Sequence, residues 1–83
     1  MDKKSDHILD LRGAISPISL LKVSQVFREM DEKEVLEILC RDLDTRTDIL
    51  KVLPSFSYEL ILMEELQEDG LSFRFQILKR KNI

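Results

Sequence analysis

Apolar residues recur along this chain in two alternating rhythms. HILDL, residues 7–11, is short, rich in β-formers, and stops at Arg12-Gly13, where a glycine permits a turn, so it predicts a first strand. From Ser16 to about Met30 the spacing lengthens. Leu20, Val23, Ser24, Phe27 and Met30 recur at steps of three and four, with Lys22, Gln25, Arg28 and Glu29 largely between them, which predicts an amphipathic helix. After the charged turn DEK the period returns to two. In KEVLEILC, Leu36, Ile38 and Cys40 share one side of a second strand, while Val35, Glu37 and Leu39 share the other. RDLD leads into a second helix, with Asp44 or Thr45 as N-cap and Asp48 in its first turn. Ile49, Val52, Leu53 and Phe56 form its buried side, and Pro54 marks its end. SYELILMEEL predicts a third strand and EDG a hairpin turn. LSFRFQILK predicts a fourth strand, with Leu71, Phe73, Phe75 and Ile77 inward and Ser72, Arg74 and Gln76 outward.

The order β-α-β-α-β-β implies an α+β fold. Two helices cover only one face of a four-stranded mixed sheet, which makes a two-layer α/β sandwich the natural packing. At 83 residues the chain is read as one domain, residues 1–83, around one small core. The uncovered face carries Ile8, Val35, Leu39, Ile61 and Met63 among Glu37, Glu59, Arg74 and Gln76, and is more apolar than a solvated face requires. These residues are either scattered surface apolars or a patch that docks a partner or a second copy.

Composition removes several classes of function. Hydrophobic residues at 43% and charged residues at 35% describe a globular chain. A net charge of -3 does not attract nucleic acid or an anionic membrane; only the tail LKRKNI is locally basic, either a solvated end or a small phosphate-binding patch. No apolar run approaches the ~20 residues that cross a bilayer, and MDKKSDHILDL does not resemble a secretory leader, so the expected location is cytoplasmic. One cysteine and one histidine cannot form an internal disulfide or a four-ligand zinc site, and no cofactor and no metal are expected.

The candidate chemistry lies in RGAISPIS, residues 12–19. The carboxyl ends of parallel strands one and two share a sheet edge, where the first helix begins with its amides free. Pro17 suits the first helical position, and Ser16 the N-cap. Serine catalysis would need a base. His7 sits at the start of strand one, about 13 Å from its far end, so no Ser-His pair is expected. Asp42 and Asp44 lie nearer but suit loop caps. Cys40 ends near the same edge, yet its parity places it with Leu36 and Ile38; it is a packed core thiol or, alternatively, a relocated reactive one.

LDLRGAISPIS, with ILCRDLDTRTDI and EDGLSFRFQILK further on, resembles the TusA/SirA family of small sulfur-carrier proteins over about Ile8 to Lys79. The resemblance implies the sandwich described above and a Cys-Pro-x-Pro motif opening the first helix. The family's cysteine corresponds to Ser16, its first proline to Pro17 and its second to Ser19, with Gly13 and Asp42 also at motif positions. A thiolate at a helix N-terminus can accept sulfane sulfur as a persulfide, which a serine hydroxyl cannot carry. The resemblance thus implies a non-catalytic relative that docks to another protein, a sulfurtransferase or DsrE-like partner, or to itself. Two alternatives remain: a carrier working through Cys40 or with its motif cysteine replaced by Ser16, and a regulatory or RNA-associated module using the helix N-terminus and Lys79, Arg80 and Lys81.

Overall fold

A computed structural model describes residues 5–13, 18–67 and 72–80, the side chain of Leu43 excepted. Four strands, β1 (His7–Asp10), β2 (Val35–Cys40), β3 (Tyr58–Leu66) and β4 (Ser72–Lys79), alternate with helices α1 (Ile18–Glu29) and α2 (Leu43–Val52) in the expected order. A 3-10 turn at Ser55–Ser57 precedes β3. The sheet order is β1-β2-β4-β3, with β1 parallel to β2 and both other pairings antiparallel. Ser16, Pro17, Leu71, Lys81 and the EDG turn lie outside the described residues.

The core follows from the pairing of the two central strands. Leu36, Ile38 and Cys40 stand opposite Ile77, Phe75 and Phe73, and all six are buried on one face. Onto that face α1 lowers Val23 and Phe27, and α2 lowers Ile49, with Met30 and Leu53 just past the helix ends. Each such side chain contributes roughly 1.5–3 kcal/mol when buried, far more than intrinsic helix propensity, so this stripe sets how each helix lies. In α1 the buried stripe is Ser19, Val23 and Phe27, with Leu20 only partly covered. In α2 the expectation fails for two residues: Val52 is 43% and Phe56 63% exposed. Ile49 and Leu53, four apart, take the inward positions and turn Val52 out. Phe56 falls beyond Pro54 in the 3-10 turn, where helical spacing no longer applies.

Strand β3 departs from the simple alternation. A bulge between Leu60 and Leu62 leaves Ile61 without a register partner, so strand parity reverses there. Beyond it Met63 stands opposite Phe75 and packs against the core, instead of facing outward as the sequence pattern implies.

The outer face is likewise different from the expected patch. Val35 is buried, with both its backbone N–H and its carbonyl bonded to Asp6, at 2.8 and 2.9 Å. Ser5 Oγ donates to Glu37 Oε1 at 2.9 Å, and Gln76 Nε2 donates to both Ser5 Oγ (2.9 Å) and Glu37 Oε1 (3.1 Å). Arg74 bridges Glu37 (3.6 Å) and Glu64 (2.7 Å). A polar network therefore occupies the centre of this face. Of the five apolar residues expected there, Ile8 is exposed, Leu39 and Ile61 are half-buried, Val35 is on that side but buried, and Met63 faces the core.

Lys79 is the largest correction. Expected in a solvated basic tail, it is buried, and its ammonium donates to the carbonyls of Phe27 (2.6 Å), Met30 (2.8 Å) and Arg28 (3.4 Å), with the Phe27 ring centroid 5.0 Å away. These carbonyls end α1, where helix geometry leaves acceptors without intrahelical donors and the dipole is negative. The backbone holds Lys79 in place: Lys33, in a left-handed turn at φ 72°, donates its N–H to the Lys79 carbonyl (2.7 Å), and Lys79 N–H donates to Glu34 O (2.9 Å). Lys79 is thus unavailable to phosphate, and the neighbouring Arg80 pairs with Glu59 at 3.1 Å on the surface. Lys79→Met should destabilise the fold by about 2–4 kcal/mol in urea unfolding, since three charge-assisted bonds go and buried carbonyls are left unmet. Arg80→Ala should change stability by less than ~0.5 kcal/mol, as for other exposed pairs.

Candidate functional site

Because β1 and β2 are parallel, their carboxyl ends share one edge of the sheet, and α1 is the next described element after β1. Past the last residue of β1 the ladder continues once, Leu11 N–H donating to Leu39 O at 2.8 Å. There the chain is fastened by charge. Asp10 Oδ1 accepts from Arg12 N–H (3.1 Å) and Arg12 Nε (2.9 Å), and Oδ2 accepts from Nη2 (2.8 Å). The guanidinium fork, then the backbone bond, holds the Asp10 carboxyl down from 3.8 to about 2. Arg41, just after β2, donates from Nε to the Arg12 carbonyl at 3.1 Å. The exit of β1 is therefore tied to the exit of β2. A Cβ at Gly13 would meet nothing within 4 Å, so close packing does not demand glycine there.

At the end of β2, Asp42 is the N-cap of α2, in extended conformation, with Oδ1 accepting from Thr45 N–H at 2.6 Å. The sequence offered Asp44 or Thr45 for this role. Asp42 takes it because it is the last extended residue after β2, three before the amide it caps. The Thr45 amide, then the Thr45 hydroxyl, lowers the Asp42 carboxyl below its usual range. Engaged in this way, Asp42 is a capping acceptor and a poor proton acceptor for chemistry.

Cys40, the chain's one cysteine, is fully buried, and its Sγ lies 3.6 Å from the Asp42 carbonyl as a weak donor. Burial pushes its thiol up, and the Asp42 charge adds to this, so the thiolate needed for sulfur exchange is disfavoured. His7, at the other end of β1, places Nε2 3.0 Å from Glu34 Oε1, at the opposite edge of the sheet from Gly13. Among the described residues no group of three or more His, Cys, Asp or Glu side chains could hold a metal ion. No helix there is long and apolar enough to cross a membrane.

The structure thus assembles Asp10, Arg12, Gly13, Arg41 and Asp42 at one edge, with Ser19 buried beneath the first turn of α1. Residues 16 and 17 lie between Gly13 and Ile18 in the sequence, outside the described residues. Ile61 and Met63 belong to β3 and lie apart from it. Sequence reasoning passed over Ile18 and Leu21, which are 51% and 61% exposed at the start of α1. Their signal was present in the helical period. Both fall on the side opposite Ser19, Val23 and Phe27, in company with Lys22, Gln25 and Arg28.

The described elements form a two-layer α/β sandwich, two helices over one face of a four-stranded mixed sheet, and the comparisons name the family. The family model described as Sulfurtransferase TusA matches residues 7–79, and the chain belongs to that family. The "Putative sulfur carrier protein YrkI" of Bacillus subtilis (strain 168) is 25% identical over 76 residues, 92% of this chain and 97% of that protein. The crystal structure of a SirA-like protein from Desulfitobacterium hafniense has the same fold, with a TM-score of 0.68 at 20% identity. It covers 90% of this chain and 99% of its own.

Two measurements check this geometry. The Asp10 carboxyl should titrate by NMR near 2, and Arg12→Ala should return it toward 3.8. Because the folded value is depressed, the stabilisation from the Asp10–Arg12 pair is fully present above the unfolded value, ~3.9, and is lost as pH falls through 2. Cys40 should resist iodoacetamide at pH 8 in the folded protein and react at the rate of a free thiol in urea, since only unfolding exposes it.

Proposed function

We propose that this chain is a non-catalytic member of the TusA family that docks to a protein partner of a sulfur-relay system without carrying sulfur itself. The burial of Cys40 carries this reading. The chain has no second cysteine, its motif position holds Ser16, and the thiol it does have is enclosed and held in its neutral form. A serine in that position can cap the helix and can accept or donate a hydrogen bond, but it cannot form the persulfide that relay by thiol exchange requires. What remains at the edge is a recognition surface: the Asp10–Arg12–Arg41 fastening, the cap at Asp42, and the aliphatic pair Ile18 and Leu21 on the solvent side of α1. Exposed aliphatics beside a family site support docking, since the domain's own packing makes no use of them. Leu39, half-buried, and Ile8 supply a smaller second apolar area on the outer face of the sheet.

The test is intact-mass measurement after incubation with a cysteine desulfurase and cysteine. The wild-type chain should gain no sulfur, Ser16→Cys should gain one sulfur atom, and Cys40→Ser should behave as wild type. A sulfur atom on the wild type that disappears in Cys40→Ser would make Cys40 a carrier and overturn the reading.

A further inference from the structure

At the end of the sandwich away from Gly13, the last turns of α1 and α2 and the end of β4 border a half-open cavity of about 370 Å³. Helix α1 is about 18 Å long, so this cavity lies a helix length from the edge described above. Phe27, Val52, Leu53 and Pro54 give it apolar walls, and Ser24, Arg28 and Lys79 provide its polar groups. The volume falls in the range of about 300–1,000 Å³ found for small-molecule sites. Among the described residues that line it, both charged ones are cationic and none is acidic.

The two cations differ in what they can offer a ligand. The Lys79 ammonium is buried and spends its three N–H donors on carbonyl oxygens, the last of them at a loose 3.4 Å; its charge helps hold the Glu34 carboxyl below its usual range without an ion pair, so it lends the cavity charge and no free donor. The Arg28 guanidinium, exposed in the last turn of α1, makes no ion pair or hydrogen bond with a described residue. A helix C-terminus alone would repel an anion. Here Lys79 lies against the terminal carbonyls and Arg28 stands beside it, so the local sign is reversed. Buried charge is ordinarily matched by opposite charge, and an apolar wall beside it selects for a body as well as a head group.

We propose that this cavity binds a small amphipathic carboxylate, its aliphatic or aromatic body lying against Phe27, Val52, Leu53 and Pro54 and its carboxylate meeting the Arg28 guanidinium within the positive field of Lys79. The site is separate from the sulfur-relay edge and does not depend on the function proposed there.

The test titrates the ¹⁵N-labelled protein with sodium octanoate and, separately, with 1-octanol, following amide shifts. Octanoate should move the amides of residues 24–28 and 51–53 and bind at least ~10-fold more tightly than octanol, the increment of one charge-assisted contact. Val52→Trp, at an exposed position, should fill the cavity and abolish these shifts. Arg28→Gln should bring the two ligands within ~2-fold of each other. Equal binding of acid and alcohol to the wild type would overturn the proposal, marking the cavity as a merely apolar groove. Shifts centred elsewhere, no binding at millimolar octanoate, or binding that survives Val52→Trp would overturn it too.

Discussion

The antiparallel pairing of β2 with β4 is the constraint on which the rest of this structure depends. Its register places Leu36, Ile38 and Cys40 against Ile77, Phe75 and Phe73 on one face, and Glu37 beside Gln76 on the other. A slip of one residue would turn one strand over relative to the other, driving Glu37 or Gln76 into the core. Both helices are held by the apolar face, and the same pairing carries Lys79 to the end of β4, where its ammonium reaches the carbonyl end of α1. One register thus sets both the core and the direction of α1.

How far this could be read from sequence depends on whether the determining contacts were local. Strand β4 was legible because its alternation is clean, and α1 because its apolar period is close to that of a helix. Strand β3 was not: it is apolar on both sides, and a bulge at Ile61 reverses its parity without any glycine or proline to announce it. Val35 reads as an outward residue and is one, but Asp6 and Ser5 lie against that side of β2, a contact between segments about thirty residues apart. Lys79 reads as a basic tail because nothing in KRK shows that α1 ends above it. Three residues suited to capping, Asp42, Asp44 and Thr45, competed for α2, and tertiary position chose Asp42.

The candidate site was legible as a motif and not as a surface. Ser16, Pro17 and Gly13 are recognisable by order alone, whereas the Asp10–Arg12 fork and the Arg41 strap depend on β1 and β2 ending side by side. These contacts fasten the segment approaching α1 and largely satisfy its charges. Such a frame suits a surface that is recognised. The absent atom is specific: sulfur exchange needs a polarizable, ionisable thiol, and burial keeps the one thiol of the chain neutral and enclosed. On the proposed function, scaffold and reactivity have separated in this chain, and binding is the role that remains.

Binding without transfer is tested most directly by competition. In a reaction where a cysteine desulfurase passes sulfur to a TusA-family carrier that has its motif cysteine, increasing amounts of this chain should raise the apparent KM for the carrier. The kcat should stay unchanged, and this chain should remain free of sulfur. Transfer unaffected by a large excess of the chain, or sulfur accumulating on the chain itself, would contradict the account.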